Sequence, residues 1–371
     1  MSIVRARLKP YSLPLRDPWP SADGDVRDRK GWIVALEDEL GRIGLGDAAP
    51  FPGFGLETHA SAGAGLKLAM SHLVGMERER YATALVDLPL LAPVAAAPTA
   101  RSAIDCAIHD LIAQGANVSL ARYLGGIGTL REVPANVTIP RVPPERAAEL
   151  GKKAVSAGVR TLKLKVGGAA PQDDEARLRA LRQAVGPEVR VRVDANQAWG
   201  VEEAIQALCR FAAYDLEYAE QPVGADDLEG LVRVREGSPV RIAADEAVRD
   251  LRSAEMLLYR SAADILILKP MALGGLRESR AVLNAADDRH IPVVVTSLME
   301  SAVGRAAALH FAASLGATQY AHGLATGVAL SRDIATAPAL RNGSIPVPDA
   351  PGLGVQPPEE FWRDAFTLEP E

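Results

Sequence analysis

Cysteine is scarce: only Cys106 and Cys209 occur among 371 residues, and neither sits in a C-x-x-C pair. A disulfide framework is excluded, and a reducing cytoplasmic location is expected. Long apolar runs are missing too. The strongly apolar runs, such as residues 291–299, fall far short of the roughly 20 residues a membrane helix needs, so no membrane partner is expected. Residues 1–9 carry no apolar core of a secretory signal, which agrees with the cytoplasmic expectation. Positive charge is not in excess. Lys and Arg number 41 against 47 Asp and Glu, giving a net charge of −6 and a pI near 5.7. That argues against a nucleic-acid partner recruited by broad positive charge. No P-loop, no G-x-G-x-x-G and no G-x-S-x-G occurs, so nucleotide and serine-hydrolase chemistry lack support. Asn117-Val-Ser and Asn136-Val-Thr match glycosylation sequons, which mean nothing without secretion.

What is present is ordinary globular composition, 48% apolar and 24% charged. From about Val133 the chain alternates short β-branched runs with amphipathic stretches. Strands are expected at 133–139, 161–166, 189–194, 217–220, 240–245, 265–269, 292–297 and 318–322. Helices are expected between them at 143–157, 173–185, 201–214, 228–235, 251–260, 276–289 and 304–315. Strands spaced by helices imply right-handed βαβ units, and eight in a row imply an α/β fold of the (β/α)8 barrel type. The first 130 residues read instead as an antiparallel meander (3–11, 32–39, 43–47) followed by helices at 58–73 and 97–124, an α+β cap. Residues 15–29 and 50–57, rich in Pro, Gly and Asp, read as mobile loops. The tail from Leu330 is rich in Pro and Gly and is expected to be poor core material. The expected organisation is a cap at 1–130, a catalytic barrel at 131–327, and a segment at 328–371 that returns to the cap.

The chemical signal lies in where charge falls. Asp194, Glu220 and Asp245 each close a strand, at separations of 26 and 25 residues. That spacing is one βα unit, so the three acids belong at equivalent strand ends. In a barrel those ends converge on one mouth, where active sites occur. A single acid there would read as a cap for the next helix; three in register do not. Three close carboxylates repel unless a cation lies between them. Oxygen-only donors favour a hard ion, Mg2+ first, with Mn2+ as a substitute. In Thr161-Leu-Lys-Leu-Lys-Val166 the period of two puts Lys163 and Lys165 on one face and the leucines on the other. The leucines suit the helices, which sends both lysines inward. Gatekeeper lysines on an edge strand are the alternative, but a closed parallel barrel has no edge. Lys269 closes the sixth strand, nearly opposite the second, so the amines face each other across the metal. A small carboxylate substrate placed there would have its α-proton acidified by the metal. One lysine removes that proton, and the opposing cation holds the enediolate. A lysine base must be partly neutral near pH 7, and Lys163 and the metal both push it that way.

The ordered set Lys-x-Lys, Asp-x-Asn, Glu-Gln-Pro, Asp-Glu, Lys-Pro resembles the enolase superfamily, muconate-lactonizing subgroup. That superfamily's pairing of a Lys or His base with Mg2+ is established chemistry. Gly46-Asp-Ala-Ala-Pro50, Ala103-Ile-Asp-Cys-Ala107 and Leu124-Gly-Gly126 extend the likeness over nearly the whole chain. The resemblance implies Lys165 as the proton-transfer lysine, Lys163 as its modulator and Lys269 as the opposing cation. It implies Asp194, Glu220 and Asp245 as metal ligands, with Asn196 and Gln221 behind them and Glu246 pointing elsewhere. The segments Thr296-Ser-Leu-Met-Glu300, His322-Gly-Leu-Ala-Thr-Gly327 and Val347-Pro-Asp-Ala-Pro-Gly-Leu-Gly354 look most like the o-succinylbenzoate synthases of menaquinone biosynthesis. The implied reaction is a dehydration, with Ser297, Glu300 and Asn196 as substrate contacts. The Asp-x-Asp that dipeptide epimerases carry at the eighth strand is absent from Gln319-Tyr-Ala-His322. Racemisation of N-succinylamino acids and muconate cycloisomerisation stay open, as does homo-oligomer formation.

The remaining residues read as structural. His59, His72, His109, His290 and His310 fall on helices or helix ends, while His322 is placed nearer the mouth. Cys209 is expected in a helix core, and Trp199 under the mouth. Loops 15–29 and 51–57 are expected to close over the barrel, with Arg16, Arg27, Arg29 and Lys30 available to a carboxylate.

Overall fold

Alternation in the first fifty residues produces a sheet with two buried faces. The computed structural model describes residues 2–19, 25–77, 92–168 and 170–370. Strands β1 (Ile3–Trp19), β2 (Val26–Asp38) and β3 (Ile43–Ala48) are antiparallel, and β13 (Phe366–Leu368) joins the outer edge of β1. In β2, Val34 and Leu36 point to helices α1 (His59–Leu73) and α2 (Pro98–Gly115), forming one core. Ile33 and Ala35, on the other face, join the core of the barrel. Helix α2 lies directly on β3: a Cβ at Gly46 would stand 1.8 Å from the Ala103 carbonyl oxygen, so glycine is required there.

The expected loop at 15–29 is mostly strand, with Trp19 paired to Val26 and Arg29 to Leu13; residues 20–24 of it lie outside the described residues. Pro18 and Pro20 suggested a loop. However, β13 covers only Ala6–Leu8 of β1, and an uncovered strand edge tolerates proline. Residues 50–57 do form a loop, holding a short 3-10 turn at Pro52–Phe54.

The barrel sheet is parallel throughout. Its strands are β5 (Val137–Ile139), β6 (Thr161–Lys165), β7 (Arg190–Asp194), β8 (Leu216–Glu220), β9 (Ile242–Ala244), β10 (Ile265–Leu268) and β11 (Val293–Val295), paired in sequence order. All seven expected helices form between them, at nearly the expected positions. Outward residues such as Leu162, Leu164, Val191, Val193, Leu266 and Leu268 pack on the helices. Inward residues Tyr218, Ala243, Ile265, Ile267, Val294 and Tyr320 fill the lumen.

Two expected strands differ. The first, 133–139, splits: β4 (Glu132–Pro134) leaves the barrel to pair with β12 (Ser344–Pro346), and β5 continues it. The eighth, 318–322, is no strand; isolated bridges at His322 and Gly323 replace it. The His322 N–H donates to the Pro134 carbonyl (2.8 Å), and the Gly323 N–H to the Val295 carbonyl (2.8 Å), so these two residues close the ring. The His322 imidazole is fully buried, and its Nδ1 accepts from the Val295 N–H at 2.9 Å. Burial, then the charge of Arg192, lowers its pKa to about 3. It is a neutral closing pin of the barrel.

The tail is better core material than expected. Ile345, Leu353, Val355 and Trp362 are buried in the main core. Cys209 is exposed. The helix Val201–Phe211 buries Ala204, Ala207, Leu208 and Phe211, and position 209 lies off that stripe. No described helix is long and apolar enough to cross a membrane.

Candidate active site

With Leu162 and Leu164 turned to the helices, Lys163 and Lys165 enter the barrel from β6. Strand pairing sets Lys165 opposite Asp194, and Asp194 opposite Glu220. Asp245 follows the last residue of β9, and Lys269 follows the last residue of β10. All six converge at the C-terminal mouth. Lys163 Nζ lies 2.7 Å from Glu220 Oε1 and 3.0 Å from Asp194 Oδ2. Lys165 Nζ lies 2.6 Å from Asp194 Oδ2 and 2.5 Å from Asn196 Oδ1. Lys269 is paired with Asp245. The three acids are almost fully buried, and the lysines nearly so.

The charges are mutually balanced but not relaxed. Burial alone would lower the Lys163 pKa, yet Asp194, Glu220 and Asp245 together raise it well above the usual lysine value. Burial opposes ionisation of Asp194, but Lys163 and Lys165 overcome it and hold its pKa below the ordinary range. Glu220 moves the other way: burial first, then Asp194, raises it to about 7. Asp245 is also raised, by burial. Two carboxyls are therefore held against their own charge, an environment that a further cation relieves.

Among the described residues, no three His, Cys, Asp or Glu side chains stand close enough to hold a metal as they lie, because each acid is turned onto a lysine. The donor set nevertheless suits a hard divalent ion. It is all oxygen, and one ammonium already sits between Asp194 and Glu220 at hydrogen-bond distance from both.

The turn geometry behind these groups is unusual. Asn196, Gln197 and Gln221 all have positive φ (44°, 67° and 38°). Gln221 is fully buried; its Oε1 accepts from the Asp245 N–H (2.9 Å) and the Ala247 N–H (3.2 Å). The expectation that Glu246 points away is overturned, since its Oε1 accepts from Asn196 Nδ2 at 3.0 Å. Period-two reasoning does not reach it, because Glu246 lies beyond the end of β9.

The cap covers the mouth. The ring of Phe54 lies 4.4 Å from Lys269 Nζ, and Phe51, Phe54, Leu56 and Val26 of the cap pack with Leu298 and Met299 of the barrel. No sequence argument singled out Phe54. Ser297 Oγ pairs with Thr326 Oγ1 at 2.7 Å. Glu300 is buried in the seam between cap and barrel, where burial raises it to about 7. Nearby, Asp47 accepts from Tyr11 Oη (2.8 Å) and Ser301 Oγ (2.6 Å), and burial raises it to about 6. Arg29 is spent on the carbonyls of Ala49 (2.9 Å) and Pro50 (3.2 Å), and Arg16 on that of Val328 (3.1 Å). Arg27 and Lys30 are exposed.

Residues 4–125 match the family model of the mandelate racemase / muconate lactonizing enzyme N-terminal domain, and residues 146–361 match the enolase C-terminal domain-like model. The chain belongs to the enolase superfamily. It is 31% identical over 315 residues to the hydrophobic dipeptide epimerase of Enterococcus faecalis, covering 85% of this chain and 88% of that one. It is 40% identical over 231 residues to the o-succinylbenzoate synthase of Thermobifida fusca, covering 61% of this chain and 70% of that one. The solved N-succinyl Arg/Lys racemase of Bacillus cereus superposes with a TM-score of 0.90 at 26% identity over the whole of both chains. The dipeptide epimerase of E. faecalis, solved with Mg and L-Leu-L-Tyr, gives a TM-score of 0.88 at 28% identity, covering 96% of this chain and 100% of that one. This enolase-superfamily enzyme thus has both isomerases and lyases among its relatives.

Proposed function

We propose that the enzyme is a Mg2+-dependent dehydratase of the o-succinylbenzoate synthase type, acting on a cyclohexadiene carboxylate that bears a succinyl chain. The observation that carries proton-abstraction chemistry is the pair of amines, Lys165 and Lys269, entering from opposite sides of one acid cluster. Asp194, Glu220 and Asp245 would hold Mg2+, with Mn2+ as a substitute. When bound, the ion would neutralise a substrate carboxylate and so acidify its α-carbon.

The chain's own residues then do the following. Lys165 Nζ, in its neutral form, takes the α-proton. The electron pair left on carbon forms an enediolate, whose charge faces the ammonium of Lys269. Collapse of the enediolate breaks the β carbon–oxygen bond, and Lys165 returns its proton to the departing hydroxide as water. Lys163, held between Asp194 and Glu220, keeps its charge beside the base. Phe51, Phe54, Leu298 and Met299 exclude water.

Two observations favour a carbocycle over a dipeptide. The roof above Lys269 is apolar, and the eighth barrel position offers Gly323, Leu324 and Ala325 where an ammonium would need acids. Against this, the similarity to dipeptide epimerases spans most of the chain. An epimerase or N-succinylamino acid racemase, using both lysines for two-sided proton transfer, is therefore the second reading. The test is turnover with Mg2+, before and after chelation. Loss of water from the cyclohexadiene substrate, abolished by EDTA and restored by Mg2+, is expected. No dehydration, together with α-deuterium incorporation into a dipeptide or N-succinylamino acid, would reject the dehydratase in favour of the second reading.

A further inference from the structure

A lysine that transfers a proton needs a defined direction as well as a suitable charge. In its neutral form the Lys165 amine has two N–H bonds and one lone pair. Anchoring both N–H bonds fixes where the lone pair points. Two acceptors among the described residues lie within reach, Asp194 Oδ2 at 2.6 Å and Asn196 Oδ1 at 2.5 Å. Asp194 can accept with either oxygen. Asn196 is less forgiving, because its amide offers an acceptor at one end and donors at the other. If the amide flips, N–H groups face the amine and the second anchor is lost.

What prevents the flip is on the far side of Asn196. Glu246 Oε1 lies 3.0 Å from Asn196 Nδ2. A carboxylate only accepts and an ammonium only donates, so one orientation of the amide satisfies both neighbours and the other satisfies neither. Glu246 is 9% exposed, and its second oxygen, Oε2, is buried with no hydrogen-bond partner among the described residues. Leaving a buried carboxylate oxygen unserved is unfavourable, which argues against a purely stabilising role. The backbone holds the pair at fixed separation. The Asn196 N–H donates to Asp194 Oδ1 (3.0 Å), and the next N–H, that of Gln197, donates to the Gln221 carbonyl (2.8 Å). The side chain of the same Gln221 clamps the backbone N–H groups on either side of Glu246.

We propose that Glu246 is a positioning residue for proton transfer: it locks the Asn196 amide so that Oδ1 orients the Lys165 amine. The inference rests on the assignment of Lys165 as the base under the proposed function. It predicts that Glu246 acts only through Asn196, and that a neutral acceptor suffices at position 246.

The test uses the full-length Mg2+-loaded enzyme on whichever substrate the wild type processes: the cyclohexadiene carboxylate, an N-succinylamino acid or a dipeptide. Steady-state constants and α-deuterium exchange are measured, with thermal melts to verify folding. Glu246→Ala is expected to lower kcat and exchange by about ten- to a hundredfold, with KM within about twofold. Glu246→Gln, which can still accept through its carbonyl, is expected to recover most of the rate. Asn196→Ala should match Glu246→Ala, and the double variant should be no slower than the slower single one. Wild-type kcat in Glu246→Ala, additive losses in the double variant, or Glu246→Gln as slow as Glu246→Ala would each overturn the proposal. An active Lys165→Ala enzyme would instead overturn the assignment of the base. The two failures are thereby told apart.

Discussion

The barrel buries charge at both ends of its lumen, and the two ends use it differently. At the foot, Arg192 is fully buried, with its guanidinium 4.6 Å from the centroid of Tyr218. Its Nε donates to Glu217 at 2.5 Å, and its Nη1 to the Ala321 carbonyl (2.8 Å) and to Asn136 Oδ1 (3.2 Å). These acceptors come from β8, from the segment that closes the ring and from the start of β5. A planar cation that does not titrate thus ties three parts of the barrel together. At the mouth, three lysines on flexible stems share three acids, and Glu220 and Asp245 remain reluctant to ionise. Lysine titrates when its surroundings change, and arginine does not. The foot is built for closure and the mouth for exchange of charge.

The sharpest way to break this contrast is at the mouth. Lys165→Ala is expected to lower turnover by about a thousandfold or more, the scale of losing a general base. Its thermal midpoint should hold, since Asp194 keeps Lys163 as a partner. Calorimetry beside a rate assay checks both, and an unfolded variant would make the mouth structural like the foot. The complementary change is Arg192→Met. It leaves Glu217 with Arg190 alone and strips partners from Asn136 and Ala321, so a loss of about 3 kcal/mol in a denaturant melt is expected. kcat per folded molecule should not change. A kcat loss without a stability loss would show that the two ends act as one unit.

A third buried cluster, in the seam between cap and barrel, lies between these extremes. Asp47 is held by hydroxyls and a backbone N–H rather than by an ion pair. Its folded pKa, about 6, is raised above the unfolded value near 3.8, so its charge opposes folding. The sign follows: the seam is most stable at low pH and loses stability as pH rises toward about 6, by up to about 3 kcal/mol from this group. Asp47→Asn removes the titration. The melting temperature of the variant relative to the wild type should therefore climb between pH 4 and 7 and then level. Parallel curves would mean that Asp47 does not titrate in the fold.

Sequence reasoning reached whatever a repeat or an alternation encodes. Lys163 and Lys165 follow from Leu162 and Leu164, and the acids follow from the βα spacing. It stalled where those rules end. Glu246 sits beyond β9, where period two no longer applies. His322 closes the ring by isolated bridges rather than as a strand. Cys209 misjudged the helix stripe by one position. Pro18 suggested a loop because an uncovered strand edge has no signature of its own. The burial of Glu300 in the seam was not legible, because contacts between cap and barrel are not periodic in sequence.

Phe54 marks the same limit and gives the smallest expected effect. It lies on a loop whose composition says only that it turns. In the fold, its ring sits 4.4 Å from Lys269 Nζ, on the side of the mouth opposite Lys165. A cation beside an aromatic face gains about 1 kcal/mol in a partly dry site, which is roughly a fivefold effect on rate. Phe54→Leu keeps the apolar volume but removes the quadrupole, so kcat/KM should fall by about that factor with the melting temperature unchanged. Phe54→Tyr keeps the ring and should stay near the wild type. If both variants lose activity equally, the loop matters for its shape. If only leucine does, the cap supplies electrostatics to the mouth, and the exchangeable charge there extends beyond the barrel to the first domain of the chain.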